Sequence, residues 1–143
     1  MLPGATVAAI LLAGPALAEG WIADPVTGCE LWSPDPPRAG EVVSWSGDCL
    51  DGKASGRGVG TWTDADGLIA RLDGTMRSGK AHGLTDLTLR ETGGGYLRYL
   101  GRFEEGLPAG EATVVNAAGY RLRGEVIDGP RHMKGTLIAP DGT

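Results

Sequence analysis

Two cysteines are the side chains with the clearest chemical potential in this chain. Cys29 and Cys49 are its only cysteines, and an even number of cysteines in an exported protein indicates a disulfide. Closing a loop across the 20 positions between them would stabilise the fold by about 3 kcal/mol on the chain-entropy model. A pair of buried free thiols is the alternative. Because neither His82 nor His132 lies near the cysteines in sequence, we expect no metal site.

Other motifs that resemble chemical sites are incomplete. His82 has no Ser, Cys or Asp partner at a catalytic spacing, and His132 falls in an irregular stretch. The segment 64–67 lacks the third acid and the distant Glu of a calcium loop. The glycines of segment 56–60 lack the Lys-Ser/Thr and the helix that a phosphate loop requires. We therefore expect no catalytic residues, no cofactor and no enzymatic activity.

Arginine is the other residue type that suggests binding. The strands predicted below place eight of the 13 basic residues and six of the 18 acidic ones on one sheet face. Cross-strand ion pairs on a solvated face, each worth about 0.2–1 kcal/mol, are one interpretation. The other is a docking surface for anionic lipid head groups or acidic envelope polysaccharide, which planar guanidinium groups bind well. The candidates for that surface are Arg71, Arg77, Arg98, Arg102, Arg121 and Arg123.

A recurring motif must position these side chains. It consists of a large apolar residue, a glycine, an apolar residue two positions on and a glycine three further on, at spacings of 27, 27 and 23 residues. Self-similarity at this period is typical of a repeat protein, in which each unit buries its apolar surface against its neighbours. The four blocks are Trp45-Ser-Gly47-Asp-Cys49-Leu-Asp-Gly52, Leu72-Asp-Gly74-Thr-Met76-Arg-Ser-Gly79, Tyr99-Leu-Gly101-Arg-Phe103-Glu-Glu-Gly106 and Leu122-Arg-Gly124-Glu-Val126-Ile-Asp-Gly129.

Two families of turns alternate along these repeats. The last two residues of each block, such as Asp51-Gly52, favour a type I′ hairpin turn, and glycine-containing turns such as 64–67 and 116–119 separate the blocks. The sequence therefore predicts an all-β fold, an elongated single-layer antiparallel meander of about four hairpins over residues 42–143.

Alternation along the strands separates an apolar face from the charged one. The apolar face is predicted to carry Trp45, Cys49, Trp62, Leu72, Met76, Leu87, Leu89, Tyr99, Phe103, Val114, Leu122, Val126 and Leu137. Gly47, Gly74, Gly101 and Gly124 fall on the same face, where a missing Cβ leaves room for a ring to lie across the strand.

The beginning of the chain predicts export. Residues 2–18 carry no charge and end in Ala16-Leu-Ala18, which is typical of a signal peptide cleaved before Glu19. We expect a signal peptide over 1–18 and an irregular, proline-rich segment over 19–41, drawn across the first hairpins by a Cys29–Cys49 bond. A periplasmic or extracellular location follows. The net charge of −5 gives no reason to expect nucleic acid.

The blocks resemble those of the MORN repeat family, and the chain resembles an exported bacterial member of it. Tyr99, Gly101, Phe103 and Gly106 match the family motif in full, and the Trp45 block nearly so. The blocks at Leu72 and Leu122 have lost both aromatic residues. The resemblance implies a hairpin array that serves as a scaffold or docking surface, with no catalytic residues. We expect it to bind an unknown protein partner or itself, with anionic lipid or polysaccharide binding as the alternative.

Overall fold

A computed structural model describes residues 20–127 and 133–143. The expected signal peptide and Gly129 lie outside these residues. The described chain contains strands and no helix, and none of it could cross a membrane as a long apolar helix. The twelve strands are β1 (Trp21–Ala23), β2 (Glu30–Trp32), β3 (Val42–Trp45), β4 (Asp48–Leu50), β5 (Lys53–Asp64), β6 (Gly67–Arg77), β7 (Lys80–Ala81), β8 (Gly83–Arg90), β9 (Tyr96–Glu104), β10 (Leu107–Val115), β11 (Arg121–Val126) and β12 (Met133–Ile138).

The strands form one open sheet in which neighbours in sequence are neighbours in space. From β5 the order is β6, β8, β9, β10, β11 and β12, each antiparallel to the one before. β3 and β4 pair with the two ends of β5, and β7 pairs with β6. The predicted all-β, antiparallel meander is therefore confirmed.

The hairpin turns have the conformation that their sequences predict. Asp51, Ser78 and Glu105 have φ of 53°, 51° and 49°, and the glycine after each is also left-handed. Two successive residues with positive φ define the type I′ turn, whose twist matches that of the flanking strands. We call Gly52, Gly79 and Gly106 the tip glycines.

One face of the sheet, which we call the inner face, holds the core. Trp45, Leu72, Met76, Tyr99 and Phe103 are all buried there, and the Tyr99 and Phe103 rings meet edge to face with centroids 5.3 Å apart. The predicted apolar face thus holds the core, but two residues predicted on it, Cys49 and Leu137, are exposed.

A row of small residues crosses the inner face in register. Its paired members include Gly58 with Gly74, Thr85 with Gly101, Gly101 with Ala112, Ala112 with Gly124, and Gly124 with Gly135. A methyl group on Gly47 would lie 2.6 Å from the Trp45 ring. The Trp45 ring can lie across the row because Gly47 has no side chain.

The N-terminal segment contains structure that the sequence analysis did not predict. β1 and β2 pair as an antiparallel hairpin, with Trp21 opposite Trp32, and β2 joins the main sheet through a parallel contact between Glu30 and Lys53. We call residues 21–32 the N-terminal hairpin. The expectation of an irregular segment over 19–41 was wrong for this part, because β1 pairs with β2 and the backbone of β2 donates hydrogen bonds to Gly52 and Gly79.

Cys29 and Cys49 are disulfide-bonded, with their Cα atoms 5.8 Å apart. The predicted pairing is therefore present. Cys29 is buried, whereas Cys49 lies on the exposed strand β4. The bond ties the N-terminal hairpin to the first hairpin of the repeats.

Candidate interaction surface

The N-terminal hairpin shows how the inner face binds polypeptide. Leu31 is completely buried, and its side chain packs over Gly60 beside Trp45. On either side of it, Trp21 covers Gly79 and Trp32 covers Gly106. The two tryptophans therefore use the space left by two tip glycines.

Backbone hydrogen bonds run along the tip glycines. The N–H of Glu30 donates to the Gly52 carbonyl, and the N–H of Trp32 donates to the Gly79 carbonyl, each at 2.8 Å. The tips are also joined to each other, because Gly79 donates to Ala54 and Gly106 to Ala81. Two residues after Trp32 comes Pro34, which has no N–H to continue this series.

Two lysines hold the tryptophans in place. The ammonium group of Lys53 lies 4.2 Å from the centroid of the Trp21 ring, and that of Lys80 lies 4.9 Å from the Trp32 ring. Each lysine directly follows a tip glycine. The same position after Gly106 holds Leu107, which is partly exposed.

The N-terminal hairpin covers the inner face only as far as β9. Val114, Leu122, Val126 and Met133 are only partly buried, and Leu137 is 61% exposed. We call these five residues the open end of the inner face. They are in register, since Val114 pairs with Leu122, Leu122 with Leu137, and Val126 with Met133. Contiguous apolar patches are typical of protein–protein interaction sites, so the open end is the candidate interaction surface.

A buried carboxylate, which sequence reasoning missed, locks the N-terminal hairpin. Asp24 accepts hydrogen bonds from the N–H groups of Val26 (2.8 Å), Thr27 (3.3 Å) and Trp45 (3.0 Å). Burial opposes ionisation of Asp24, but these hydrogen bonds outweigh it and lower the pKa of the carboxyl group. An Asp-Pro turn was recognisable from sequence. The hydrogen bond that Asp24 accepts from Trp45, 21 positions away, could not be predicted from sequence.

The covered part of the inner face also contains buried polar atoms that lack partners. Within the described residues, the Tyr99 hydroxyl and the Trp62 indole nitrogen have no hydrogen-bond partner. Burial raises the pKa of Tyr99. These isolated groups lie among apolar side chains, and the described residues place no acid–base pair beside them.

The opposite face, which we call the outer face, carries ion pairs. Arg98 binds Asp86 through two hydrogen bonds of 3.0 and 2.7 Å, and this contact lowers the pKa of Asp86. Arg77 binds Glu105 at 3.0 Å and lowers the pKa of that carboxyl group. Arg90 binds both oxygens of Asp64 and lowers its pKa to about 2.

The six arginines proposed from sequence therefore fall into two groups. Arg77 and Arg98 form ion pairs, whereas Arg71, Arg102, Arg121 and Arg123 are exposed and form none with the described residues. Arg71, Arg98 and Arg121 belong to one row across the sheet, separated by Thr88 and Val115. The row brings one arginine from every second strand onto a single line.

Comparison with known proteins finds a repeat in the last strands of the sheet. The family model for the MORN repeat matches residues 123–143, which include β12 and most of β11. The chain thus carries a MORN repeat here, in the block that has lost both aromatic residues. A repeat of this kind is a protein-interaction module. No curated protein matches the chain.

Proposed function

We propose that this protein is an exported, non-enzymatic scaffold that binds a protein partner through the open end of its inner face. The observation that carries the proposal is the change in burial along the sheet. The face is closed over Leu72, Met76 and Phe103 and is open at Leu122 and Leu137.

The closed part supports this proposal because it already binds a peptide segment of the same chain. There, an inserted leucine and backbone hydrogen bonds to the tip glycines hold a short hairpin on the face. The open end offers the same kind of apolar surface in the next strands. A partner that covers it would remove exposed apolar area from water, which is favourable.

The proposed export rests on two features. A disulfide is typical of proteins that fold in an oxidising compartment, and Cys29 and Cys49 form one. The uncharged N-terminal stretch with Ala16-Leu-Ala18 is typical of a signal peptide. Mass spectrometry of the protein recovered from the periplasm tests this directly, since cleavage would leave Glu19 as the first residue.

A matched pair of variants tests the interaction surface. Leu137 lies on the inner face and Thr136 on the outer face of the same strand, and both are exposed. The tagged wild-type protein is used to capture partners from envelope extracts in parallel with Leu137→Glu and Thr136→Glu. We expect Leu137→Glu to lose the partner and Thr136→Glu to keep it. Equal capture by all three proteins would contradict the proposal that the open end binds the partner.

The outer face gives a second candidate function, the binding of anionic groups. It is favoured by Arg121 and Arg123, which are exposed, lie two positions apart on β11 and form no ion pair with the described residues. Sedimentation with phosphatidylglycerol vesicles, and separately with a soluble polyuronate, distinguishes a lipid from a polysaccharide. We expect binding at low salt that Arg121→Gln/Arg123→Gln reduces and high salt abolishes. Binding to neither material at low salt would rule this function out.

A further inference from the structure

One row of the outer face is basic and, from β6 to β11, contains no acidic residue. The register places Arg71 opposite Thr88, Thr88 opposite Arg98, Arg98 opposite Val115, and Val115 opposite Arg121. We call Arg71, Arg98 and Arg121 the arginine row. All three are exposed, and each directly precedes the first residue of a repeat block. The repeats therefore supply one guanidinium group per unit along a line that crosses the strands.

The carboxylates beside the arginine row already have cationic partners. Asp73 and Asp86 lie in the next row of the outer face, where they are opposite each other. A carboxylate oxygen of Asp73 lies 3.8 Å from Arg57, and one of Asp86 lies 2.7 Å from Arg98. Each negative charge next to the row is thus compensated within the sheet.

The arginine row keeps its capacity to bind anions. Within the described residues, Arg71 and Arg121 form no ion pair. Arg98 uses its Nε and Nη2 groups for Asp86, so that its Nη1 group lies outside this contact, and its side chain is 56% exposed. A guanidinium group has five N–H donors and binds carboxylates through two parallel hydrogen bonds. The row therefore presents three guanidinium groups to one extended ligand.

The spacing of the row indicates which anion fits. Successive arginines are two strands apart, or about 9–10 Å, because adjacent strands lie about 4.7–4.9 Å apart. A sugar ring in an extended polysaccharide takes up a length similar to one strand spacing. A carboxylate on every second sugar would therefore meet every arginine of the row. The sugars between would meet Thr88 and Val115, whose side chains carry no charge.

Resting on the second candidate function, we propose that the arginine row binds an acidic polysaccharide in which charged and neutral sugars alternate. The polysaccharide lies across the strands, with one carboxylate on each guanidinium group. Its charge complements that of the row, and its neutral sugars place no unpaired charge over Thr88 or Val115.

The twist of the sheet favours this ligand over a membrane. Adjacent strands are rotated by about 20–25°. Arg71 and Arg121 are four strands apart in the sheet, so their side chains are rotated about the row by about 80–100° relative to each other. A flat bilayer surface cannot meet both of them at once, whereas a flexible polysaccharide can wind along the row.

A six-sugar fragment of alternating glucuronate and N-acetylglucosamine is the probe, because it carries three carboxylates. It is labelled at one end and titrated at low salt with the full, oxidised chain, and fluorescence anisotropy measures binding. We expect Arg71→Gln and Arg121→Gln each to weaken binding by about fivefold or more, since each removes a charge-assisted contact. A two-sugar fragment reaches a single arginine and should bind at least about tenfold more weakly than the six-sugar fragment.

Arg102→Gln is the matched control for these variants. Arg102 is an exposed arginine of the same face that forms no ion pair with the described residues, but it lies opposite Leu84 and Ala109, outside the row. Its replacement changes the net charge of the protein by the same amount. The effect on binding should stay within about twofold, because exposed charges away from the ligand are screened.

Three results would overturn the proposal. Equal losses for the three variants would show unspecific attraction between the protein and an anion. Equal binding of the two-sugar and six-sugar fragments would show a single site instead of a row. Sedimentation with phosphatidylglycerol vesicles, without binding of the six-sugar fragment, would identify a membrane as the ligand.

The arginine row and the second candidate function can fail separately. If vesicles or a soluble polyuronate bind at low salt and the six-sugar fragment does not, the outer face still binds anions and the arginine row is wrong. If none of the three materials binds, both fail. The partner proposed for the inner face is tested independently of these results, by capture with Leu137→Glu.

Discussion

Leu31→Ala is the sharpest test of the idea that the N-terminal hairpin belongs to the core. Among the described residues Leu31 is the largest fully buried side chain, and it packs over Gly60 beside Trp45 and Trp62. Truncation of a buried leucine to alanine removes its transfer free energy and leaves a cavity, which together cost about 2–5 kcal/mol. We expect a loss near the middle of that range, because the disulfide at Cys29 limits how far the hairpin can move to fill the space.

Urea unfolding followed by tryptophan fluorescence measures this loss, since Trp21, Trp32, Trp45 and Trp62 all report on the covered inner face. Val26→Ala is the control, because Val26 lies in the turn of the same hairpin and is 90% exposed. Its effect should stay within about 0.5 kcal/mol. A Leu31→Ala loss below about 1 kcal/mol would show that the hairpin is not part of the cooperative core, and the account of the closed inner face would then be wrong.

Two further predictions concern the glycine row and the buried carboxylate. Gly47→Ala should destabilise the fold by about 1–3 kcal/mol, because the new methyl group would meet the Trp45 ring and the Arg57 carbonyl at 2.6 Å; Gly93→Ala, at a position with open space, should have little effect on the urea midpoint. Asp24→Asn should cost about 1–3 kcal/mol at neutral pH, because its amide cannot accept all three N–H groups. The lowered pKa of Asp24 means that its contribution is complete above the unfolded value of about 3.9 and is lost as pH falls through the folded pKa. Denaturation between pH 7 and pH 2 should therefore show a shallower loss of stability for Asp24→Asn than for wild type, and parallel curves would contradict the role given to this carboxylate.

Local sequence was sufficient to predict the hairpin turns and the two faces of the sheet. Type I′ turns depend on two adjacent residues such as Ser78-Gly79, and the choice of face depends only on alternation within a strand. Tyr99 and Phe103 therefore appear on the same side, as their spacing requires. These features need no knowledge of distant contacts.

The N-terminal hairpin could not be predicted in the same way. β1 and β2 have three residues each, too few for a periodic pattern, and the glycines that accept hydrogen bonds from β2, Gly52 and Gly79, are distant in sequence. The partners in the ion pairs could not be predicted from sequence for the same reason. Arg77 meets Glu105 across 28 positions, and local sequence does not show which residues so far apart will meet.

The hydrogen bonds from the N-terminal hairpin to the tip glycines set a simple ratio. Successive donors are two residues apart, Glu30 and Trp32, while the acceptors Gly52 and Gly79 are one whole repeat apart. A covering segment thus advances one hairpin for every two of its own residues, and a short extension can span a long array. In this chain Pro34 has no N–H to donate, so the series of hydrogen bonds ends there. The number of hairpins covered is therefore set by the covering segment and not by the array beneath it.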